Sequence, residues 1–190
     1  NLLTHTSGLG SRSSELYKEN NVRDKNITLD QMTSNVARIP LFQDPGTQFR
    51  YGIHATILGK LIEVWSEQPF EEYLQENILN PLEMSSTMFW AEGGDASRLA
   101  ELYRPNNGRL DPYKIESVSW TSRPTLIEGG VGLLSSVSDF LNFSQMVLDN
   151  GKFKGRPVLS EKTAALMYAN AVPDQAMPIG SRGYWLGSGW

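Results

Sequence analysis

The chain of 190 residues contains no cysteine, so disulfides, thiolate metal sites and a cysteine nucleophile are excluded. It has no apolar run of about 18 residues and no basic-then-apolar start, which excludes a helical membrane span and a signal peptide within this sequence. No Lys/Arg cluster exceeds two residues, the formal net charge is -4 and the pI is near 5.2. Without a basic field to attract a phosphate backbone, nucleic acid is not an expected partner. Histidine is scarce: His5 and His54 are the only two, with no Asp/Glu pattern around them, so no metal site is expected. Repeats and low-complexity tracts are also lacking. What is present is ordinary, with 39% hydrophobic and 20% charged residues, the balance of a folded globular body. The length suits one domain with a real core, or part of a larger one.

Along the chain, Asn1 to His5 reads as the last turn of a helix, stopped by the glycines at Gly8 and Gly10. Residues 11–26 are polar and read as loop. Thr28 and Gln31 fit a capping box opening a helix with Leu29, Met32, Val36 and Ile39 on one face, and Pro40 ends it. Asp44-Pro45-Gly46-Thr47 is a turn by its chemistry, and Phe49 to Tyr51 leaves it extended. Ile53, Ile57, Leu58, Leu61, Ile62 and Trp65 trace a helical stripe over 52–67, and Phe70, Tyr73, Leu74 and Ile78 trace a second. Met84 to Trp90 is apolar enough for a short strand, and 104–124 reads as loop with a strand fragment at Val118 and Trp120. Ser138 is the expected cap of a helix using Phe140, Leu141, Phe143, Met146 and Val147, ended by Asn150-Gly151, and Ser160 caps one more. The coarse picture is helix-rich with little sheet. Asn1 is not an initiator Met and opens inside an apolar helix end, so residues 1–190 read as an interior part of one domain.

Three segments together resemble one family. Leu2 to Leu9, reading Leu-Leu-Thr-His-Thr-Ser-Gly-Leu, is similar to the segment after the nucleophile helix of class C β-lactamases and their relatives. Pro45-Gly46-Thr47-Gln48-Phe49-Arg50-Tyr51 resembles the family's Pro-Gly-Thr-x-Phe-x-Tyr-Ser-Asn block. Gly129 to Ser136 with Asp139-Phe140 resembles its glycine-rich stretch before a helix, and Asn150 to Gly155 with Leu159-Ser160 resembles the segment after that helix. The resemblance implies an α+β, β-lactamase/transpeptidase-like fold, of which this chain supplies mainly the helical subdomain. It implies a serine hydrolase working through a covalent seryl intermediate, with no metal or organic cofactor and a small-molecule ester or amide substrate. It leans toward a periplasmic or extracellular compartment.

By that resemblance Tyr51 matches the tyrosine that takes the nucleophile's proton, beside a Lys supplied by a Ser-x-x-Lys turn. A free phenol, with a pKa of about 10, is a poor base at neutral pH, so a cation beside it is required. No Ser here is followed three positions later by Lys, and neither Lys-Thr-Gly nor a His/Trp-x-Gly equivalent follows Trp185. The chain alone is therefore expected to turn nothing over.

Two positions after Tyr51, where β-lactamases usually carry Asn, stands Ile53, which cannot hydrogen-bond a substrate amide. Family VIII carboxylesterases and the fungal statin-side-chain acyltransferase tend to be apolar there, so esters or thioesters are expected before β-lactams or D-amino-acid peptides. Gly52 and His54 also depart from the commoner Ser and small residue. A binding or sensor protein of the same fold without its nucleophile is the non-enzymatic alternative. The expected substrate contacts are Ile53, His54, Gly129 and Gly130, although a plain turn accounts for the glycine pair equally well. His5, beside Thr and Ser, reads as a structural hydrogen-bonder. Trp185 and Trp190 could line an acyl pocket or fill a core.

Overall fold

A computed structural model of the chain describes residues 1–177 and 179, apart from 12, 23 and 115–119. Val118, Trp185 and Trp190 thus lie outside the described residues. Helices dominate, with two short hairpins beside them.

The first helix, α1 (Glu15–Glu19), falls in the stretch expected to be loop. Among the described residues of this stretch Tyr17 and Val22 are the buried apolar side chains, and the Tyr17 hydroxyl accepts the Gly10 N–H at 2.8 Å. Two apolar residues are too few to show a period. In contrast, α2 (Leu29–Ala37) forms as its sequence dictates. Thr28 Oγ1 accepts the Gln31 N–H while Gln31 Oε1 accepts the Thr28 N–H, closing the expected capping box, and Leu29, Met32 and Val36 face inward. Together with Ile53 and the two α1-region side chains they make one core cluster.

The central helix, α3 (His54–Ser66), ends at Glu67 in the left-handed conformation and packs against α4 (Phe70–Leu74), which runs on into a π-helical turn over Gln75–Leu79. The expected stripe of α3 is only partly its buried face: Ile53 is in the core and Ile57 and Ile62 pack against core clusters. His54, Thr56 and Gly59 are buried, whereas Trp65 is exposed. The expected strand over 84–90 reduces to a single bridge, Met88 with Leu134.

The main hairpin lies where a loop is expected. Strands β1 (Leu102–Asn106) and β2 (Arg109–Tyr113) pair antiparallel, with Leu102 opposite Tyr113 and Asn106 opposite Arg109. Asn107 and Gly108 both have positive φ, 46° and 79°, as a two-residue type I′ turn requires. That Asn-Gly pair is a strong hairpin signal, masked here by Pro105 and Pro112 within the strands. A second small hairpin joins β3 (Lys152–Phe153) and β4 (Arg156–Pro157).

Between the hairpins runs α5 (Val137–Leu148). Its cap is Ser136, whose oxygen accepts the Asp139 N–H, and not Ser138. The Asp139 carboxylate, itself buried, accepts from Ser86 N–H, Thr87 Oγ1 and Ser136 Oγ, tying the helix start to residues 86–87. Met146 is the one fully buried apolar residue of α5, while Phe140 and Leu141, expected in the core, are exposed. The chain continues through α6 (Glu161–Leu166), capped by Ser160 as expected.

Candidate active site

Tyr51 sits between the turn at residues 44–47 and the start of α3, and main-chain bonds to residues 5–10 hold it there. Phe42 N–H donates to the Gly8 carbonyl at 2.9 Å, Gly46 N–H to Thr6 at 2.6 Å, Arg50 N–H to His5 at 2.8 Å and Ile53 N–H to Gly10 at 3.3 Å. The two segments are two of the three blocks that carry the family resemblance. They are brought together by backbone pairing, which needs no particular side chain, and this is why the contact is invisible to sequence reading. Gly52 allows it: a Cβ at this position would lie 2.1 Å from the Gly10 carbonyl oxygen. Glycine thus stands at a close backbone approach.

Tyr51 is 59% exposed, the accessible member of the cluster. Its ring packs on His5 at 4.7 Å between centroids, and His5 in turn meets His54 edge-on at 4.5 Å and Phe49 at 5.7 Å. Residues 1–6, expected to end a helix, form a hydrogen-bonded turn. His5 N–H donates to the Leu2 carbonyl and Thr6 N–H to the Asn1 carbonyl, the paired bonds of a Schellman motif. The stop is His5 itself, at φ 54°, a place usually taken by glycine, and not the later glycines.

The hydrogen bonding expected of His5 is not made by its Nδ1, and the substrate contact expected of His54 is not open to its buried ring. His5 Nδ1 and both ring nitrogens of His54 are buried without a hydrogen-bond partner among the described residues. His54 has no exposed surface, so its ring faces neither cleft nor solvent. Burial holds its pKa down to about 4, with the neighbouring His5 acting in the same direction and the Gly52 backbone only partly opposing them. Burial also lowers the His5 pKa. At neutral pH both rings are therefore uncharged and no cation from this pair adjoins Tyr51.

Ile53 is 1% exposed and lies in the α2–α3 core, so its side chain packs inward. Gly129 and Gly130 form the two-residue turn closed by the bridge between Glu128 and Val131, and both are exposed. A Cβ on Gly129 would fall 2.3 Å from the Ala55 carbonyl oxygen, and the turn is tied to α3 by Thr56 Oγ1 donating to the buried Glu128 carboxylate at 3.1 Å. The glycine answers a close approach to α3, one turn beyond Tyr51. Thus Tyr51, Ile53, His54 and Gly129 all gather at the start of α3, but only Tyr51 and the glycine turn present surface. Sequence reading missed His5 as the partner of Tyr51, and the signal available was a non-glycine residue at a helix stop. A separate cavity of about 790 Å³, lined by Ser86, Met88, Arg98, Tyr113, Trp120 and Ser135 among others, includes no residue of this cluster. Among the described residues no group of three or more His, Asp or Glu is placed to hold a metal, and no helix is long and apolar enough to cross a membrane.

The Beta-lactamase family model matches residues 1–190. The chain belongs to the Beta-lactamase family. It is 27% identical over its whole length to Protein Rv1367c of Mycobacterium tuberculosis, covering 48% of that protein. It is 31% identical to Acyltransferase mokF of Monascus pilosus, covering 92% of this chain and 42% of the relative. The solved structure of EstCE1, a hydrolase with promiscuous acyltransferase activity, superimposes with a TM-score of 0.79 at 25% identity, covering 98% of this chain and 53% of that one. The chain thus spans about half the length of the curated relatives it matches. Its fold is the α+β, β-lactamase/transpeptidase-like fold, seen here in a helix-rich section with short strands.

Proposed function

We propose that this chain supplies the tyrosine-bearing wall of a serine hydrolase or acyltransferase that works through a covalent seryl intermediate on carboxylic esters. The observation that carries the reading is Tyr51, an exposed phenol fixed to a buried framework at the start of α3, in the block that resembles the family's base motif. In the full-length protein the phenol takes the proton of the seryl hydroxyl as its oxygen attacks the acyl carbon. It returns that proton to the leaving group, and the cycle repeats with water or an acceptor alcohol. His5 and His54 are uncharged at neutral pH, so neither supplies a cation beside the phenol.

The ester preference rests on the resemblance: Ile53 stands where β-lactamases usually carry Asn, and, packed into the α2–α3 core, it brings no donor or acceptor to a substrate amide. EstCE1 and mokF, by their names a hydrolase with acyltransferase activity and an acyltransferase, support the same reading. The exposed turn at Gly129 and Gly130 is the second part of the chain we assign to the substrate's side of the wall. Rates of the full-length protein on p-nitrophenyl butyrate and nitrocefin test the preference, and nitrocefin turnover exceeding ester turnover overturns it. Tyr51→Phe should lower kcat on the ester by about 100-fold or more, the range of a lost general base.

A further inference from the structure

We propose that His5 is a positioning residue for Tyr51, its ring being the surface that fixes the phenol's orientation from behind. The proposal rests on the assignment of Tyr51 as base. His5 reaches this place only because its backbone adopts φ 54° at a Schellman stop, where glycine is the unstrained choice. Glu67, Glu83 and Lys154 adopt the same left-handed backbone elsewhere in the chain, so what distinguishes His5 is its contact, a ring 4.7 Å from that of Tyr51. The His5 ring packs against Phe49 at 5.7 Å and edge-on against His54 at 4.5 Å, while the His5 main chain is held by the Arg50 N–H bond to its carbonyl at 2.8 Å. His54 is fully buried and so gives the stack a fixed floor.

The chemistry explains why orientation matters here. An exposed tyrosine has freedom about two side-chain torsions, and its oxygen must lie within hydrogen-bond reach of the attacking hydroxyl and of the leaving group in turn. A misplacement of 1 Å in such a group can cost on the order of 100-fold in rate. A neutral aromatic neighbour restrains the ring without adding a charge that competes for the proton. His5 Nδ1, buried and without a partner among the described residues, donates no bond that would tie the imidazole elsewhere.

The test uses the full-length protein with four single variants: His5→Gly, His5→Asn, His5→Phe and Tyr51→Phe. For each, kcat and KM on p-nitrophenyl butyrate, the fraction of active enzyme from the acylation burst, and the thermal midpoint are measured. Glycine and asparagine accept the left-handed backbone but lack the ring. We expect them to keep the midpoint within about 3 °C and KM within about twofold while kcat per active enzyme falls about tenfold. His5→Phe restores a ring on a more strained backbone, and its midpoint should drop while kcat stays within about threefold of wild type. A purely structural His5 predicts the reverse ranking. Wild-type kcat in the glycine and asparagine variants, or His5→Phe as slow as His5→Gly, overturns the proposal. So does a loss of kcat that disappears when the variants are assayed well below their midpoints. Full activity in Tyr51→Phe removes the base assignment instead, a failure read independently of the His5 series.

Discussion

Gly52 offers a decisive perturbation, because serine is the commoner residue beside the family's base tyrosine and Gly52→Ser or Gly52→Ala would pass for a mild change. A Cβ built at Gly52 stands 2.1 Å from the Gly10 carbonyl oxygen and 2.8 Å from its carbon, whereas real Cβ atoms essentially never come within 3.0 Å. One of two backbones must therefore shift by roughly 1 Å, and neither has a flexible end that could swing away. Gly10 cannot retreat freely, since its own Cα faces the Phe42 ring and its N–H is held by Tyr17. Overpacking of this kind costs about 1–3 kcal/mol, and the Ile53 to Gly10 bond strained in the process adds about 1 kcal/mol. The expected loss is about 2–4 kcal/mol, and in a folding unit larger than this chain it lowers Tm by about 2–4 °C per kcal/mol at most. The control is Gly94→Ala, where the Cβ meets nothing within 4 Å and φ is not positive. That variant should be neutral or up to about 1 kcal/mol more stable. Equal melting temperatures for the two alanine variants of the full-length protein, by scanning calorimetry, would refute the packing argument.

Other outcomes rest on the same structure. Thr28→Ala removes the capping box of α2 and should cost about 1 kcal/mol in a urea titration, whereas Asp139→Ala strands the Ser86 N–H and the Thr87 and Ser136 hydroxyls and should cost about 3 kcal/mol. His54 has its folded pKa depressed to about 4 from an ordinary value near 6.5. Its contribution to stability is therefore complete above pH 6.5 and is lost as pH falls toward 4, because the unfolded chain binds the proton first. Stability measured against pH should decline across that window by on the order of 1–3 kcal/mol more in the wild type than in His54→Phe, and parallel curves would exclude His54 as the cause.

The features decided within a few residues were legible in the sequence. The Thr28–Gln31 capping box, the Ser160 cap and the extents of α2 and α3 all arise from hydrogen bonds spanning at most a turn or two. The motif blocks around Tyr51 and Gly129 carried the family in the same way. Features that depend on which surfaces meet were not legible. The apolar residues of α5 predicted burial for Phe140 and Leu141, yet both are exposed, because what lies against a helix decides its buried side. Likewise α3 buries His54, Thr56 and Gly59 since the Glu128–Gly129 turn closes on them. The sequence alone determined that a tyrosine follows a Pro-Gly turn and begins a helix. Only the tertiary structure decided that His5 and His54, remote in the chain, stack behind it, because backbone pairing of residues 5–10 with 42–53 brings them together and a chain has no local signal for a contact between two backbones.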